Sequence, residues 1–166
     1  MTPRVATWVS VLTAVIVVAG GFAGWAAVQA GRWHTPNAAL ADAPATTEAA
    51  EQISAALKAV FSYDYGNLAR TERAALDGLV DEAVAQYRDT FAAAQEQAAA
   101  QKLIRTTTVA SLGVQDLSGG TARVLAFLEQ QTLNTTTGQQ TSSSAALSVT
   151  ARKVDGTWKI AALTPL

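Results

Sequence analysis

Apolar and polar positions divide this chain into three stretches with different periods. From Val5 to Val28 there is no period: 24 residues pass without a charge, and ten of them are Val, Ile, Leu or Phe. A bilayer core of about 30 Å needs about 20 such residues at a helical rise of about 1.5 Å. The run is therefore expected to span a membrane as one helix. Trp8 and Trp25 near its ends, with Trp33 just beyond, stand where amphipathic rings settle at headgroup depth. A helical period follows. Ile53, Leu57, Val60 and Phe61 share one face, which predicts a helix over 48–63 with Glu48 and Glu51 in its first turn. Leu76, Val80, Ala83, Val84, Tyr87 and Phe91 form a second face, predicting helix over 70–101, either continuous from Arg70 or interrupted around Asp77 and Gly78, with a poorly buried Ala- and Gln-rich tail. After Lys102, alternation and β-branched residues predict strands over 103–117, 121–134, 145–154 and 157–164. Ser118-Gly119-Gly120 and Asp155-Gly156 supply turns, the second matching a two-residue hairpin. The low-complexity run from Gln130 to Ser144 reads as an extended hairpin tip with frayed strand ends.

These stretches set the organisation. Residues 1–4 form a short end, and Arg4 with the terminal amine outweighs Arg32 beyond the run, which predicts a cytoplasmic amino terminus and an extracytoplasmic remainder. Residues 29–47, rich in Ala and Thr and interrupted by Pro36 and Pro44, read as a tether, leaving 48–166 as one domain. Val28 and Ala30 are spaced as a signal peptidase accepts, but a signal core needs only about 7–15 apolar residues. A retained anchor is the expectation. Within it Gly20 and Gly24 form a GxxxG pair that lets helix backbones approach closely, a candidate contact in the membrane.

Charge and composition narrow the chemistry. Apart from Arg4 and Arg32, ten basic residues face 13 acidic ones, a balance that argues against nucleic-acid binding. The chain has no cysteine, so disulfides, thiol catalysis and a lipidated cysteine are excluded. Its one histidine, His34, lies in the tether, which leaves the domain without the residues for a zinc site or a Ser/His pair. No metal, cofactor or catalytic residue is assigned, and the expectation is a protein that is not an enzyme.

Carboxylates are the remaining reactive groups. Glu129 shares a strand face with Arg123, Leu125 and Phe127, and Asp64 lies between two tyrosines. Burial among apolar groups would equip either for acid–base work. The plainer reading makes Glu129 the solvated end of a strand and Asp64 the cap of a turn. Tyr63, Tyr65, Tyr87 and Trp158 each join an apolar ring to one polar atom, so they suit either the core or the lining of a pocket or interface.

Helices followed by a meander of about four strands indicate an α+β domain, with helices packed on one face of a curved antiparallel sheet. The order of elements, the Tyr63-Asp64-Tyr65 segment and the closing Val154-Asp155-Gly156-Thr157-Trp158-Lys159-Ile160 resemble the cone-shaped nuclear transport factor 2-like fold. With the amino-terminal span, the chain resembles the Mce-associated membrane proteins of actinobacteria. That resemblance implies a single-pass, non-catalytic accessory protein that stabilises or assembles an Mce-type lipid-import complex of the cell envelope. The chain departs from many such proteins in lacking a long polar cytoplasmic tail. Two other readings fit the same parts. One is an inner-membrane bridging component of a type IV secretion or conjugation apparatus. The other is a tethered or secreted small-molecule-binding or hydratase-like domain, which requires a closed apolar pocket containing Asp64 or Glu129.

Overall fold

A computed structural model describes residues Asn37–Leu166. The expected span over 5–28, its Gly20 and Gly24, and His34 lie outside the described residues. Among the described residues no helix is long and apolar enough to cross a membrane.

The first helix, α1, runs over Ala43–Phe61 and so begins inside the stretch read as tether, not at Glu48. Pro44 causes no break because it sits in the first turn, where its missing N–H would have no intrahelical partner. Asp42 caps the helix, its carboxylate accepting from the Ala45 N–H at 3.0 Å. Glu48 is thus beyond the first turn, and it takes Lys153 Nζ at 2.9 Å instead. Ahead of α1, Ala38 N–H donates to the Leu117 carbonyl at 2.8 Å. The stretch from Asn37 therefore belongs to the domain.

At Ser62 the backbone turns extended, and Tyr63–Asp64 forms a short strand, β1. The helix stops at Phe61, and this extra strand makes the sheet five-stranded instead of four-stranded. A tight turn at Tyr65–Asn67 leads into α2 (Leu68–Asp77), and α3 spans Glu82–Gln101. Of the two alternatives for 70–101 the structure takes the interrupted one, the first helix ending at Asp77 with Gly78 as its C-cap. The intervening segment pairs instead with a strand: Val80 N–H donates to the Ile160 carbonyl at 2.8 Å, and Ile160 N–H to the Gly78 carbonyl at 2.9 Å. Those two bonds cover an open sheet edge.

The strands β2 (Leu103–Ser118), β3 (Thr121–Asn134), β4 (Gln140–Val154) and β5 (Thr157–Pro165) follow β1 in sheet order, every neighbour antiparallel. Register shifts at Ala110 and Gln115 put two bulges into β2, which bend it and raise its twist. The polar run expected to fray is paired to its end, Leu133 opposite Gln140, so β4 begins at Gln140 instead of Ala145. Asn134 organises the tip, its side-chain oxygen accepting from the N–H groups of Thr136 at 2.9 Å and Thr137 at 3.0 Å.

Alternation decides the core. Ala122, Val124, Ala126 and Leu128 of β3, Leu147, Val149 and Ala151 of β4, and Trp158 and Ile160 of β5 are buried. They meet Ile53 and Leu57 of α1 and Tyr87 and Phe91 of α3 in one cluster. The result is the expected α+β arrangement, helices on one face of a curled antiparallel sheet, with this buried cluster between them.

Candidate functional site

The candidate residues fall in three places. Tyr63 and Asp64 form β1 where α1 ends, beside the Tyr65–Asn67 turn and the start of α2. Tyr87 and Trp158 are core residues. Glu129 projects from the sheet face turned away from the helices, as the odd-numbered exposed positions of β3 show.

The first place is a groove of about 400 Å³, bounded by Ser62, Tyr63, Asp64, Asn67, Arg70 and Arg105. Tyr63 stands directly opposite Arg105 in the β1–β2 register. That register brings the Arg105 guanidinium to 5.0 Å from the centre of the Tyr63 ring, a cation–π contact. Arg105 Nε also donates to Thr132 Oγ1 at 3.1 Å, which fixes the fork in place. The floor is anchored by Thr107, whose hydroxyl donates to the Phe61 carbonyl at 2.8 Å and whose N–H donates to Ser62 Oγ at 3.0 Å. On the far wall Asn67 caps α2 by accepting from the Arg70 N–H at 3.3 Å.

Asp64 is exposed and occupied structurally, its carboxylate accepting from the Gly66 N–H at 2.8 Å as a turn cap. Tyr65 lies half-buried in that turn and packs against the core. Two guanidinium groups beside one committed carboxylate give the groove an excess of cationic donors. Such a fork recognises carboxylate or phosphate oxygens in pairs.

Tyr87 and Trp158 are each 5% exposed, and the Tyr87 hydroxyl and Trp158 Nε1 have no hydrogen-bond partner within the described residues. Burial pushes the Tyr87 phenol well above its ordinary range, and the charge of Glu72 adds to the shift. Its ring stacks on Phe91 with centroids 4.7 Å apart. The Trp158 ring carries Lys153 Nζ at 5.8 Å from its centre, and its backbone N–H donates to Gln52 Oε1 at 2.7 Å. Glu129 borders a shallow hollow of about 200 Å³ with Phe127, Ala110 and Ala146. The closed apolar pocket required of a hydratase-like domain does not form around Asp64 or Glu129, since both side chains are exposed on open surfaces.

Arg70, Asn67 and Arg105 were not singled out from the sequence. A signal existed for Arg105 alone. It falls on the same face as Leu103, Thr107 and Val109, a charge at an inward position of an otherwise apolar or small alternation.

No family model matches the chain. An uncharacterized protein of Mycobacterium tuberculosis, found in two strains, is 27% identical over 157 residues, covering 94% of this chain and 70% of that protein. Among solved structures, a periplasmic fragment of TraM superposes with a TM-score of 0.62 at 16% identity, over 72% of this chain and 96% of that one. CagV of Helicobacter pylori, a VirB8 homologue of a type IV secretion system, gives 0.62 at 10% identity over 72% and 96%. At such identities the likeness is one of fold, the nuclear transport factor 2-like arrangement expected from the sequence.

Proposed function

We propose that this chain is a membrane-anchored bridging component of an envelope-spanning assembly of the type IV secretion kind. In this reading it holds its α+β domain outside the cytoplasm and works by contact, without catalysis. The supporting observation is the order of parts. A 24-residue uncharged run stands ahead of a domain whose fold is that of a periplasmic fragment of TraM, matched over 96% of its length. The groove supplies the contact: Arg105 and Arg70 suit an acidic segment of a neighbouring subunit, and Tyr63 gives it an aromatic wall.

A second reading, the accessory protein of an Mce-type lipid-import complex, follows from the resemblance read in the sequence, and the mycobacterial relative names no complex for either reading. The mycobacterial relative matches 94% of this chain, so the similarity takes in most of the apolar run as well as the domain.

Affinity purification of the full chain from solubilised host membranes tests both. Co-purification of secretion-channel subunits, lost in the Arg70→Glu, Arg105→Glu double variant, supports the first reading. Lipid-import permease subunits in their place support the second, and capture of neither refutes both. Because the chain has no native cysteine, a single Thr136→Cys at the exposed hairpin tip reports topology. Labelling of intact cells by an impermeant maleimide is expected; labelling only after lysis overturns the orientation.

A further inference from the structure

The sheet face turned away from the helices is open, and along β3 it reads Arg123, Leu125, Phe127, Glu129. Phe127 is 49% exposed, one of the few large apolar side chains the described domain leaves in water. Its neighbours on that face are small: Ser111 and Ala146 stand opposite Phe127, and Gly113 and Ser148 opposite Leu125. Nothing tall surrounds the ridge. Neither Arg123 nor Glu129 forms an ion pair among the described residues, although Asp116 stands opposite Arg123 in register.

We propose that this face is the contact between two copies of the chain, packed sheet to sheet about a two-fold axis that crosses β3 at Ala126. The arrangement of charge carries the argument. Arg123 and Glu129 are equally far from Ala126, as are Leu125 and Phe127, with opposite charges at the two ends and apolar groups between. An axis lying in the interface and crossing the strands reverses β3 of the second copy. It sets Arg123 over Glu129 of the second copy, Glu129 over Arg123, and each Phe127 over a Leu125. An axis along the strands would instead stack Arg123 on Arg123 and Glu129 on Glu129. Self-complementarity of this kind is what an isologous contact requires. Asp116, in register with Arg123, comes over Thr108 of the second copy. The hollow between Phe127, Glu129 and Ala146 receives Leu125 and the aliphatic stem of Arg123.

The three central strands offer a patch roughly 20 Å by 15 Å, below the roughly 800 Å² per partner of a standard interface. The contact is therefore weak in dilute solution and depends on confinement to one membrane for its effective concentration, which rests on the anchored reading above.

The test uses the full chain in isolated membranes, with Ser111→Cys as a reporter on the same face and a short bis-maleimide as crosslinker. The parent reporter is expected to give a band of twice the chain mass, and Asp89→Cys on the outer side of α3 is expected to give none. Reversing one charge, Arg123→Glu or Glu129→Arg, sets like charges together at two symmetric places and is expected to lower the dimer about fivefold. Reversing both restores the pairing with its signs exchanged, so the double variant is expected to return to the parent yield. Both residues are exposed, so unchanged thermal unfolding of the variants checks the fold. Three results overturn the proposal: no dimer with the Ser111→Cys reporter, single reversals without effect, or no recovery in the double variant. Fractionation reports anchoring separately, and the charge-reversal pattern is read on whichever fraction holds the chain. The variants leave Arg70 and Arg105 intact, so failure of this contact and failure of the bridging role give different results.

Discussion

The Arg152 guanidinium holds the Asp81 carboxylate through two bonds, Nη2 to Oδ1 at 2.8 Å and Nε to Oδ2 at 3.1 Å. Asp81 is the residue at which the chain swings from the Gly78–Val80 segment into α3, and its backbone lies at φ 54°, ψ −132°. Outside glycine, such a conformation costs about 1–3 kcal/mol. Both side chains are about half exposed, so the ion pair returns only about 0–1 kcal/mol. Backbone strain outweighs the pair. Asp81→Ala keeps the strain and loses the pair, and is expected to lower stability by up to about 1 kcal/mol. Asp81→Gly loses the pair and relieves the strain, so it is expected to unfold above Asp81→Ala and at or above the parent. Thermal unfolding of the full chain ranks the three.

Asn37 does for β2 what a neighbouring strand would. Its side-chain oxygen accepts from the Leu117 N–H at 3.0 Å and its amide donates to the Gln115 carbonyl at 2.8 Å. Asn37→Ala removes both bonds and the third that its oxygen accepts from the Ala39 N–H at 2.9 Å, and the expected loss is about 1–2 kcal/mol. The local signature is sharper than the global one: hydrogen exchange at the Leu117 amide should quicken while that at Val124, inside β3, changes only with global stability. Asn37→Asp keeps the acceptor and loses the donor. It should protect Leu117 while placing a carboxylate beside the Gln115 carbonyl, giving an intermediate loss.

Tyr87 carries a pH dependence whose sign is fixed. Its folded-state proton is held more tightly than in the unfolded chain, because burial and the Glu72 charge both oppose the phenolate. Stability is therefore complete below the ordinary phenol range near 10 and falls as pH rises above it toward the elevated folded value. Tyr87→Phe removes this dependence and also removes a buried hydroxyl without a partner. The variant is expected to match or exceed the parent at pH 7 and to lose less stability between about pH 9.5 and 11. A parent and variant that decline in parallel over that range would show that another group governs the loss.

The sequence made some of this legible because local period and tertiary burial agree there. Val124, Ala126 and Leu128 alternate as a strand with one buried face should, and Asp155-Gly156 takes the positive φ values, 49° and 81°, that a two-residue hairpin demands. Other features were hidden because distant partners decide them. Pro44 reads as a breaker until Asp42 is seen capping the turn around it. The polar run from Gln130 to Ser144 has no apolar period, yet its ladder continues because each strand has a neighbour on hand. The site divides likewise. Tyr63 and Asp64 are adjacent in sequence, whereas Arg105 reaches Tyr63 only through the β1–β2 pairing. A two-residue strand leaves too short a pattern to announce itself.

The break between α2 and α3 is the clearest place where packing overrode helical period, and Gly78 is the residue that tests it. Its backbone, at φ −89° and ψ −2°, is open to any residue. The restriction is space. A Cβ there would lie 3.0 Å from the Ala56 Cβ and 3.4 Å from its Cα. Ala56 is on the buried face of α1, between Ile53 and Leu57 with Val60 beyond, all of them buried. That face cannot retreat without disturbing the core. Against the contact stands the reduced freedom of the unfolded chain, which favours alanine by about 0.4–1 kcal/mol. Overpacking costs about 1–3 kcal/mol, so Gly78→Ala is expected to destabilise by roughly 1–2 kcal/mol on balance. Ala56→Gly alone should also destabilise, by about 1 kcal/mol, for a glycine within a helix. If the close approach is the cause, the double variant will be more stable than the sum of the two losses predicts, by about 0.5 kcal/mol or more. Strict additivity in that cycle would mean the helix breaks at Gly78 for the sake of the Val80–Ile160 pairing alone.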